Sequence, residues 1–504
     1  MIRSWQENCS LAAVVCVLTI AVIAGPARAA GGPERADQRY GTETLENYHD
    51  RMQWWNDARA GLFIHWGIYN GDTWQGRDYG KEVGFASSEW FMLKAGLPAH
   101  DHEKLAEEFN PVNFDADEWA KMTRDAGLKY MVITAKHHDG FSLFDSPATD
   151  YDVVDRTPFG RDIIGELAEA CQRNGIRFGV YLSHEFDWRR RPYEGSPPSR
   201  YEISHEEYVD FTLAQIRELL TQYPNIDVLW FDMGRDGDQN LQYVELARSL
   251  SPGIIIAGRI GNYRDQPLGD YLSLGDRAIP EKRLQNYAET PMTSRLNWAY
   301  DKDDPYWKPP KVLLDMFLLS AARGANMILN VGPKPDGDWT IEEQESLAVI
   351  GAWMHKYGDT YYGTSASPFD YDFPWGTAVT KGNKMYLYVL QWADAITVEG
   401  LATRVKSARL LGEPQALAFR QDQASGILAV DLAGEADQYA SVVELELEGV
   451  AKASEGATGN YHWNDRYLDR FYGVPWWRQT VLKYRDRKFW RDRQQIESAW
   501  NDQD

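Results

Sequence analysis

The feature that most constrains the fold is a series of short apolar runs, rich in β-branched and aromatic residues, with amphipathic stretches between several of them. Runs of this kind are typical of parallel strands that helices cover on both faces. Eight such runs favour a closed barrel, so we predict an α/β fold built on a (β/α)8 TIM-like barrel. The strand candidates begin at Gly61, Tyr130, Ile176, Ile226, Ile254, Asp270, Leu296 and Asn326.

Helical periodicity accompanies this strand pattern in most of the barrel region. Apolar residues recur at helical spacing in four stretches, which predicts amphipathic helices that cover the sheet. The fifth to seventh units are weaker, because little helical pattern separates their strand candidates. The predicted helices cover residues 115–126, 162–174, 204–222 and 311–323.

The C-terminal third follows different patterns. From about residue 365 the apolar residues alternate with polar ones, which predicts a C-terminal antiparallel β-sandwich over residues 365–450 after a barrel domain at 30–364. Residues 451–504 fit neither pattern and form an aromatic and basic tail. We expect this tail to be an appended element that docks on the acidic body of the chain. Its indoles are Trp463, Trp476, Trp477, Trp490 and Trp500.

The first 29 residues have the pattern of a cleavable signal peptide. Arg3 precedes an apolar stretch at 11–25, and Ala27-Arg28-Ala29 fits the small-x-small cleavage rule. The apolar stretch is short for a membrane span. We therefore expect a secreted or periplasmic protein without an integral membrane span, the alternative being an uncleaved N-terminal anchor.

Composition narrows the class of partner. A formal net charge of -22 argues against nucleic acid as a ligand. Aromatic residues make up 13% of the chain, with 20 Trp, and an exposed indole is a good platform for the apolar face of a sugar ring. The sequence leaves open a homo-oligomer.

Polar residues collect where the predicted strands end. In the run "IDVLWFD", a buried strand stops at Asp232, and the other strand candidates also end in or contain polar or aromatic side chains. The C-terminal ends of barrel strands form the active-site face, so these residues should converge. They are His65, Trp66, His137, His138, Tyr181, Asp232, Arg259, Asp276 and Trp298.

The residue types favour glycoside hydrolysis. The strand-end candidates His65, His137 and His138 show no His-x-His or His-x-x-x-His spacing among themselves, so we predict neither a metal nor another cofactor. A Gly-x-Ser-x-Gly elbow and a Gly-rich phosphate loop are also missing from the sequence. Paired carboxylates beside aromatic platforms and neutral hydrogen-bond donors are what glycosidic bond cleavage requires.

Several long motifs together resemble one known family. The segments "ARAGLFIHWGIYN", "EWFM", "YMVITAKHHDGFSLFDSPATDYDVVD", "LWFD" and "MILNVGPKPDG" are similar to successive motifs of glycoside hydrolase family 29, the α-L-fucosidases. The resemblance implies a retaining enzyme that acts on fucosylated oligosaccharides or polysaccharides without a metal, with Asp232 as nucleophile. It also implies a fucose pocket lined by His65, Glu89, Trp90, His137, His138, Tyr181, Trp230 and Arg259.

The second catalytic carboxyl has several candidates, because the sequence departs from the family there. The family's "WET" is "AET" around Glu289, and its acid/base lies in a variable loop before that motif. Alignment on Ile279-Pro280 favours Asp276 as the acid/base, with Glu289 as the alternative and Glu281 third. Two other functions stay open: a non-catalytic carbohydrate-binding protein on the same fold, and a glycosidase of another hexose.

Overall fold

The computed structural model describes residues 43–463, apart from 71–72, 75–76, 79–87, 193–198, 303, 305–306 and 460. The predicted signal peptide at 1–29 and the tail beyond residue 463 lie outside the described residues. The domain boundaries at 364 and 450 stay predictions.

The eight parallel strands of the predicted TIM-like barrel form a curled sheet. Their order is β6-β7-β8-β1-β2-β3-β4-β5, so β1 lies in the middle of the series with β8 and β2 on its two sides. Most of their residues are buried, as expected for strands covered on both faces. The strands are β1 (Ala60–Ile64), β2 (Tyr130–Lys136), β3 (Arg177–Leu182), β4 (Ile226–Phe231), β5 (Ile255–Ile256), β6 (Leu272–Ser273), β7 (Ala288–Thr293) and β8 (Ala325–Val331).

A single aspartate connects the two edge strands. The backbone N–H of Asp270 donates to Ile256 O over 2.8 Å, and its carboxylate accepts the Ile256 N–H over 2.7 Å. Burial would raise the pKa of Asp270, but the guanidinium groups of Arg248 and Arg51 outweigh burial and lower it. An ionised, paired aspartate therefore links β5 to the residues that lead into β6.

Seven longer helices accompany the strands, and their boundaries agree with the predicted ones to within one residue where predictions were made. Polar N-caps explain this agreement: Asp115, Asp162 and Ser204 each accept a backbone N–H of the first helical turn. The helices are α1 (Leu45–Ala58), α2 (Ala116–Asp125), α3 (Ile163–Asn174), α4 (His205–Gln222), α5 (Asp238–Leu250), α6 (Pro310–Ala322) and α7 (Ile341–Tyr357).

The prediction of the seventh strand was wrong. Residues 296–300, with Trp298, lie in a loop, and the strand is Ala288–Thr293 instead. Pro291 made this segment look unlike a central strand. The β6 ladder ends at Glu289, so Pro291 lies where only β8 pairs with the strand, and its missing N–H is tolerated.

The C-terminal region forms two antiparallel sheets, as predicted. One has the order β9-β10-β15-β12 and the other β11-β14-β13, and a second apolar core lies among their strands. Among the described residues, no helix is long and apolar enough to cross a membrane. The strands are β9 (Gly376–Lys381), β10 (Lys384–Val389), β11 (Ala395–Val398), β12 (Val405–Leu410), β13 (Phe419–Asp422), β14 (Ile427–Asp431) and β15 (Ser441–Leu447).

The described start of the tail packs on the rest of the chain. Trp463 is buried, and its indole N–H donates to Phe373 O over 2.7 Å. Its backbone N–H donates to Asp372, which also forms a buried ion pair with Arg323 at 2.7 Å. These contacts join the tail's first indole to α6's C-terminal end and to the sandwich, whereas the other four tail Trp residues lie outside the described residues.

Candidate active site

Asp232 directly follows β4 and lies among hydrogen-bond donors. Its Oδ2 accepts the Tyr181 hydroxyl over 3.1 Å, and Oδ1 accepts the backbone N–H of Met233 over 2.9 Å and Arg259 Nη1 over 3.1 Å. His138 Nε2 lies 3.9 Å from Oδ2. The carboxylate side chain is 13% exposed, which leaves it reachable from the open end of the barrel. These contacts orient the side chain of Asp232 at the strand-end face.

Arg259 connects Asp232 to Asp276. It lies in a 3-10 turn just after β5, and its Nη2 donates to Asp276 Oδ1 over 2.5 Å. Burial would raise the pKa of Asp276, but the Arg259 guanidinium outweighs burial and holds that pKa below its ordinary value. The Asp276 side chain is 43% exposed, so it lies on the solvent side of the pair. One planar fork therefore holds two carboxylates close together.

Three predicted histidines lie together beside Asp232. The rings of His65 and His137 have centroids 5.6 Å apart, and those of His137 and His138 are 4.1 Å apart. Burial lowers the pKa of His65 to about 4 and that of His138 to about 3, and it also lowers the pKa of His137 well below its ordinary value. All three rings are therefore neutral at ordinary pH, suited to hydrogen bonds with sugar hydroxyls.

Stacked aromatic rings form the inner wall. Tyr181 lies between the rings of His137 and Trp230. Its ring centroid is 5.3 Å from that of His137, with an interplanar angle of 11°, and 5.5 Å from that of Trp230, with an interplanar angle of 19°. The Arg259 guanidinium lies 5.1 Å from the centroid of Trp230. These contacts hold Tyr181 and Arg259, the two side chains that donate to Asp232.

The structure brings Glu89, Trp90 and Trp298 to the same end of the barrel. Glu89 is buried, and its Oε2 accepts the Ala299 N–H over 3.4 Å, whereas Oε1 has no hydrogen-bond partner among the described residues. Burial raises the pKa of Glu89. Trp90 packs against His138 with centroids 5.3 Å apart, and Trp298 packs against His65 at 5.0 Å. Trp90 and Trp298 therefore flank the histidine cluster, and Glu89 binds the loop from which Trp298 reaches it.

Two predicted site residues lie elsewhere. Trp66 is 1% exposed and packs against the outer-layer rings of Phe114 and Trp119. Side chains at successive positions of an extended chain point to opposite sides, so Trp66 points outward because His65 points inward. The prediction that Trp66 lies among the converging active-site residues is therefore wrong. Glu289 is fully buried within β7, four residues before that strand ends at Thr293, and does not lie at a strand end.

Some residues that shape the site were missed. Asn330 on β8 contacts His65 Nδ1 over 2.6 Å, and Ser183 contacts His138 Nδ1 over 2.6 Å, so these residues orient two of the rings. A polar Asn inside the apolar run "MILNVG" was a usable signal. Met233 directly follows Asp232 in the sequence. It has a left-handed backbone, with φ of 58°, and is 38% exposed beside Asp232.

Comparisons with known proteins identify the family. A family model described as alpha-L-fucosidase matches residues 29–359. The chain belongs to the α-L-fucosidase family. The plasma alpha-L-fucosidase of Homo sapiens is 29% identical over 361 residues, covering 67% of this chain and 76% of that protein. The alpha-L-fucosidase of Dictyostelium discoideum is 26% identical over 413 residues, covering 74% and 86%.

Solved fucosidase structures agree with this assignment. Alpha-L-fucosidase isoenzyme 1 from Paenibacillus thiaminolyticus has a TM-score of 0.70 and 33% identity, covering 80% of this chain and 99% of that one. A family 29 fucosidase from Bacteroides thetaiotaomicron, solved as a trapped covalent intermediate with 2-fluoro-fucosyl fluoride, has a TM-score of 0.72 and 31% identity, covering 79% and 96%. The chain is thus a glycoside hydrolase of family 29 with α-L-fucosidase activity, and its substrate is a glycan.

Within the part of the chain that the structure describes, no group of three or more His, Cys, Asp or Glu side chains is arranged to hold a metal ion. The buried histidines instead contact neutral side chains: His65 contacts Asn330, and His138 contacts Ser183. This arrangement suits the binding of sugar hydroxyls.

Proposed function

We propose that this fucosidase is an exported, exo-acting, retaining enzyme that removes terminal α-L-fucosyl residues from fucosylated oligosaccharides or polysaccharides. The observation that carries the proposal is the fork of Arg259, which donates to Asp232 and Asp276 at once. Double displacement needs its two carboxyl groups about 5 to 5.5 Å apart. A guanidinium that binds both carboxylates keeps them near each other, which supports that mechanism.

Asp232 is the proposed nucleophile. Tyr181, Arg259 and the Met233 N–H all donate to its carboxylate, and these three contacts fix its direction. Attack of one oxygen on the anomeric carbon would form a fucosyl ester as the bond to the leaving oxygen breaks. Water then releases fucose by attack on the same carbon, and the two inversions together retain the configuration.

Asp276 is the proposed acid/base. In the first step it would give a proton to the leaving oxygen, and in the second it would take one from water. The Arg259 contact lowers the pKa of Asp276, which opposes the acid role. A sugar placed at Asp232 would draw Asp276 away from Arg259 and shield it from water, and both changes raise a carboxyl pKa. The ion pair therefore has to open when substrate binds.

The relatives support the substrate and the reaction course. The Bacteroides thetaiotaomicron enzyme was trapped as a covalent intermediate, and a Thermotoga maritima alpha-fucosidase, 27% identical, was solved in complex with fucose. A covalent intermediate is expected of a retaining enzyme. The inner side of the pocket is closed by buried rings, which favours a terminal sugar.

A panel of aryl glycosides tests the function most simply. We expect turnover of the aryl α-L-fucoside and little turnover of aryl galactosides, glucosides or mannosides, measured as phenol release. A preference for another hexose would replace the substrate assignment. Binding of L-fucose without turnover of any glycoside would support the non-catalytic alternative.

Export is proposed from residues 1–29 alone. The apolar stretch at 11–25 and the Ala27-Arg28-Ala29 site are the features that support it. Protein recovered from the medium or periplasm of a secreting host should have lost this segment, as mass spectrometry of the N-terminal peptide would report. Full-length protein held in the membrane fraction would favour the uncleaved anchor.

A further inference from the structure

The buried carboxyl of Glu289 accepts three side-chain hydrogen bonds inside the barrel. Its Oε1 accepts the indole N–H of Trp230 over 2.8 Å and the Tyr271 hydroxyl over 2.9 Å. Its Oε2 accepts the Tyr130 hydroxyl over 2.7 Å. The donors come from β4, from the residue before β6, and from the start of β2, so one side chain on β7 joins four parts of the sheet.

Trp230 connects this carboxyl to the reacting end of the site. It lies two residues before Asp232 on β4, stacks on Tyr181 and lies under Arg259. Tyr181 and Arg259 in turn donate to the two oxygens of Asp232. A rotation of the indole would therefore disturb both donors that orient the proposed nucleophile.

The position of Glu289 does not suit proton exchange with a leaving group. Glu289 is fully buried, and both of its oxygens already accept hydrogen bonds. Glu289 lies four positions before Thr293 on β7, which is roughly 13 Å along a strand at about 3.3 Å per residue. Burial raises the pKa of Glu289, and the hydrogen bonds from Trp230, Tyr130 and Tyr271 oppose that rise.

We propose that Glu289 is a positioning residue, which fixes the indole of Trp230 and through it the orientation of Tyr181 and Arg259 at Asp232. This role rests on the proposed function of Asp232, and it excludes Glu289 as the acid/base. The role depends on accepting hydrogen bonds, because the indole N–H of Trp230 can only donate. It does not depend on giving up a proton.

Glutamine should therefore replace Glu289 with little loss. In Glu289→Gln the amide oxygen can still accept from Trp230 and Tyr271, while the amide N–H donates to the Tyr130 oxygen after that hydroxyl turns its hydrogen away. Leucine has a similar volume but cannot accept any of the three bonds. The two variants thus separate hydrogen-bond acceptance from acid/base chemistry.

The experiment compares wild type, Glu289→Gln and Glu289→Leu on aryl α-L-fucosides whose phenols differ in acidity. We expect Glu289→Gln to keep kcat/KM within about tenfold of wild type and Glu289→Leu to lose about 100-fold, as for an angstrom-scale misplacement of reacting groups. For each variant, the loss should be the same on substrates with good and with poor leaving groups. The proposal would be overturned if Glu289→Gln lost as much activity as Glu289→Leu and if these losses grew for poor leaving groups.

A second measurement keeps the positioning role testable if Glu289→Leu does not fold or if the wild type turns over no fucoside. Affinity for L-fucose, measured by calorimetry, should be kept in Glu289→Gln and reduced in Trp230→Phe. The double variant Glu289→Gln/Trp230→Phe should bind no more weakly than Trp230→Phe alone. Loss of fucose binding in Glu289→Gln would contradict the positioning role. A wild-type protein that is inactive on every fucoside would overturn only the proposed function.

Discussion

Replacing Asp232 by alanine should lower kcat/KM for an aryl α-L-fucoside by about 10⁴-fold, the scale seen when one member of a catalytic unit is removed. The reason is that no other described carboxylate has the Tyr181 and Arg259 donors that hold Asp232 at the strand end. Initial rates of phenol release measure the loss, and the thermal unfolding temperature checks that the fold is kept.

The matched control is Asp227→Ala. Asp227 lies on the same strand at its opposite end, where it pairs with Arg177 at 2.9 Å. The Asp227→Ala variant should leave turnover unchanged.

Azide added to the Asp232→Ala protein should enter from the face that the carboxylate occupied and yield a fucosyl azide of inverted configuration. Azide product of retained configuration, or an Asp232→Ala protein with near-normal rates, would exclude Asp232 as nucleophile.

Replacing Asp276 by alanine should lower the rate of turnover by a factor that depends on the leaving group. An acid matters most when the departing oxygen is a poor leaving group, so we expect about 10² to 10⁴-fold loss on a natural fucoside and a much smaller loss on an acidic phenol. Steady-state kinetics on both substrates gives the ratio.

Glu281→Ala is the control within the same loop. Glu281 is exposed, and its backbone oxygen accepts Arg323 Nε over 3.1 Å, which a change of side chain leaves in place. This variant should treat both substrates as the wild type does. Leaving-group dependence in Glu281→Ala, with none in Asp276→Ala, would move the acid/base assignment to Glu281.

Much of the barrel could be predicted from sequence, because its strands are apolar on both faces and three of the four predicted helices begin after a polar N-cap. The exception is β7, where the polar and Pro-containing "AETPMT" is the strand and the more strand-like "LNWAY" is a loop. Glu289 and Pro291 are tolerated there for reasons that are not local. One side chain is satisfied by three donors from other strands, and the proline pairs with a single neighbour.

The convergence of polar residues at strand ends was also predictable, whereas the direction of each side chain was not. His65 and Trp66 are adjacent, yet one faces the histidine cluster and the other packs against α2 through Trp119. Alternation along the chain fixes that difference only once the end of β1 is known. The link from Arg259 to Asp276 could not be foreseen, because it joins side chains from two loops of irregular conformation.

The measurement that decides most directly whether the enzyme works by double displacement is the anomeric configuration of the first-formed fucose. Proton NMR spectra recorded immediately after wild-type enzyme is added to an aryl α-L-fucoside resolve the α and β anomers before they interconvert. We expect α-L-fucose to appear first, with the β anomer growing later by mutarotation. Initial release of β-L-fucose would mean a single displacement by water, and Asp232 could then not be a covalent nucleophile.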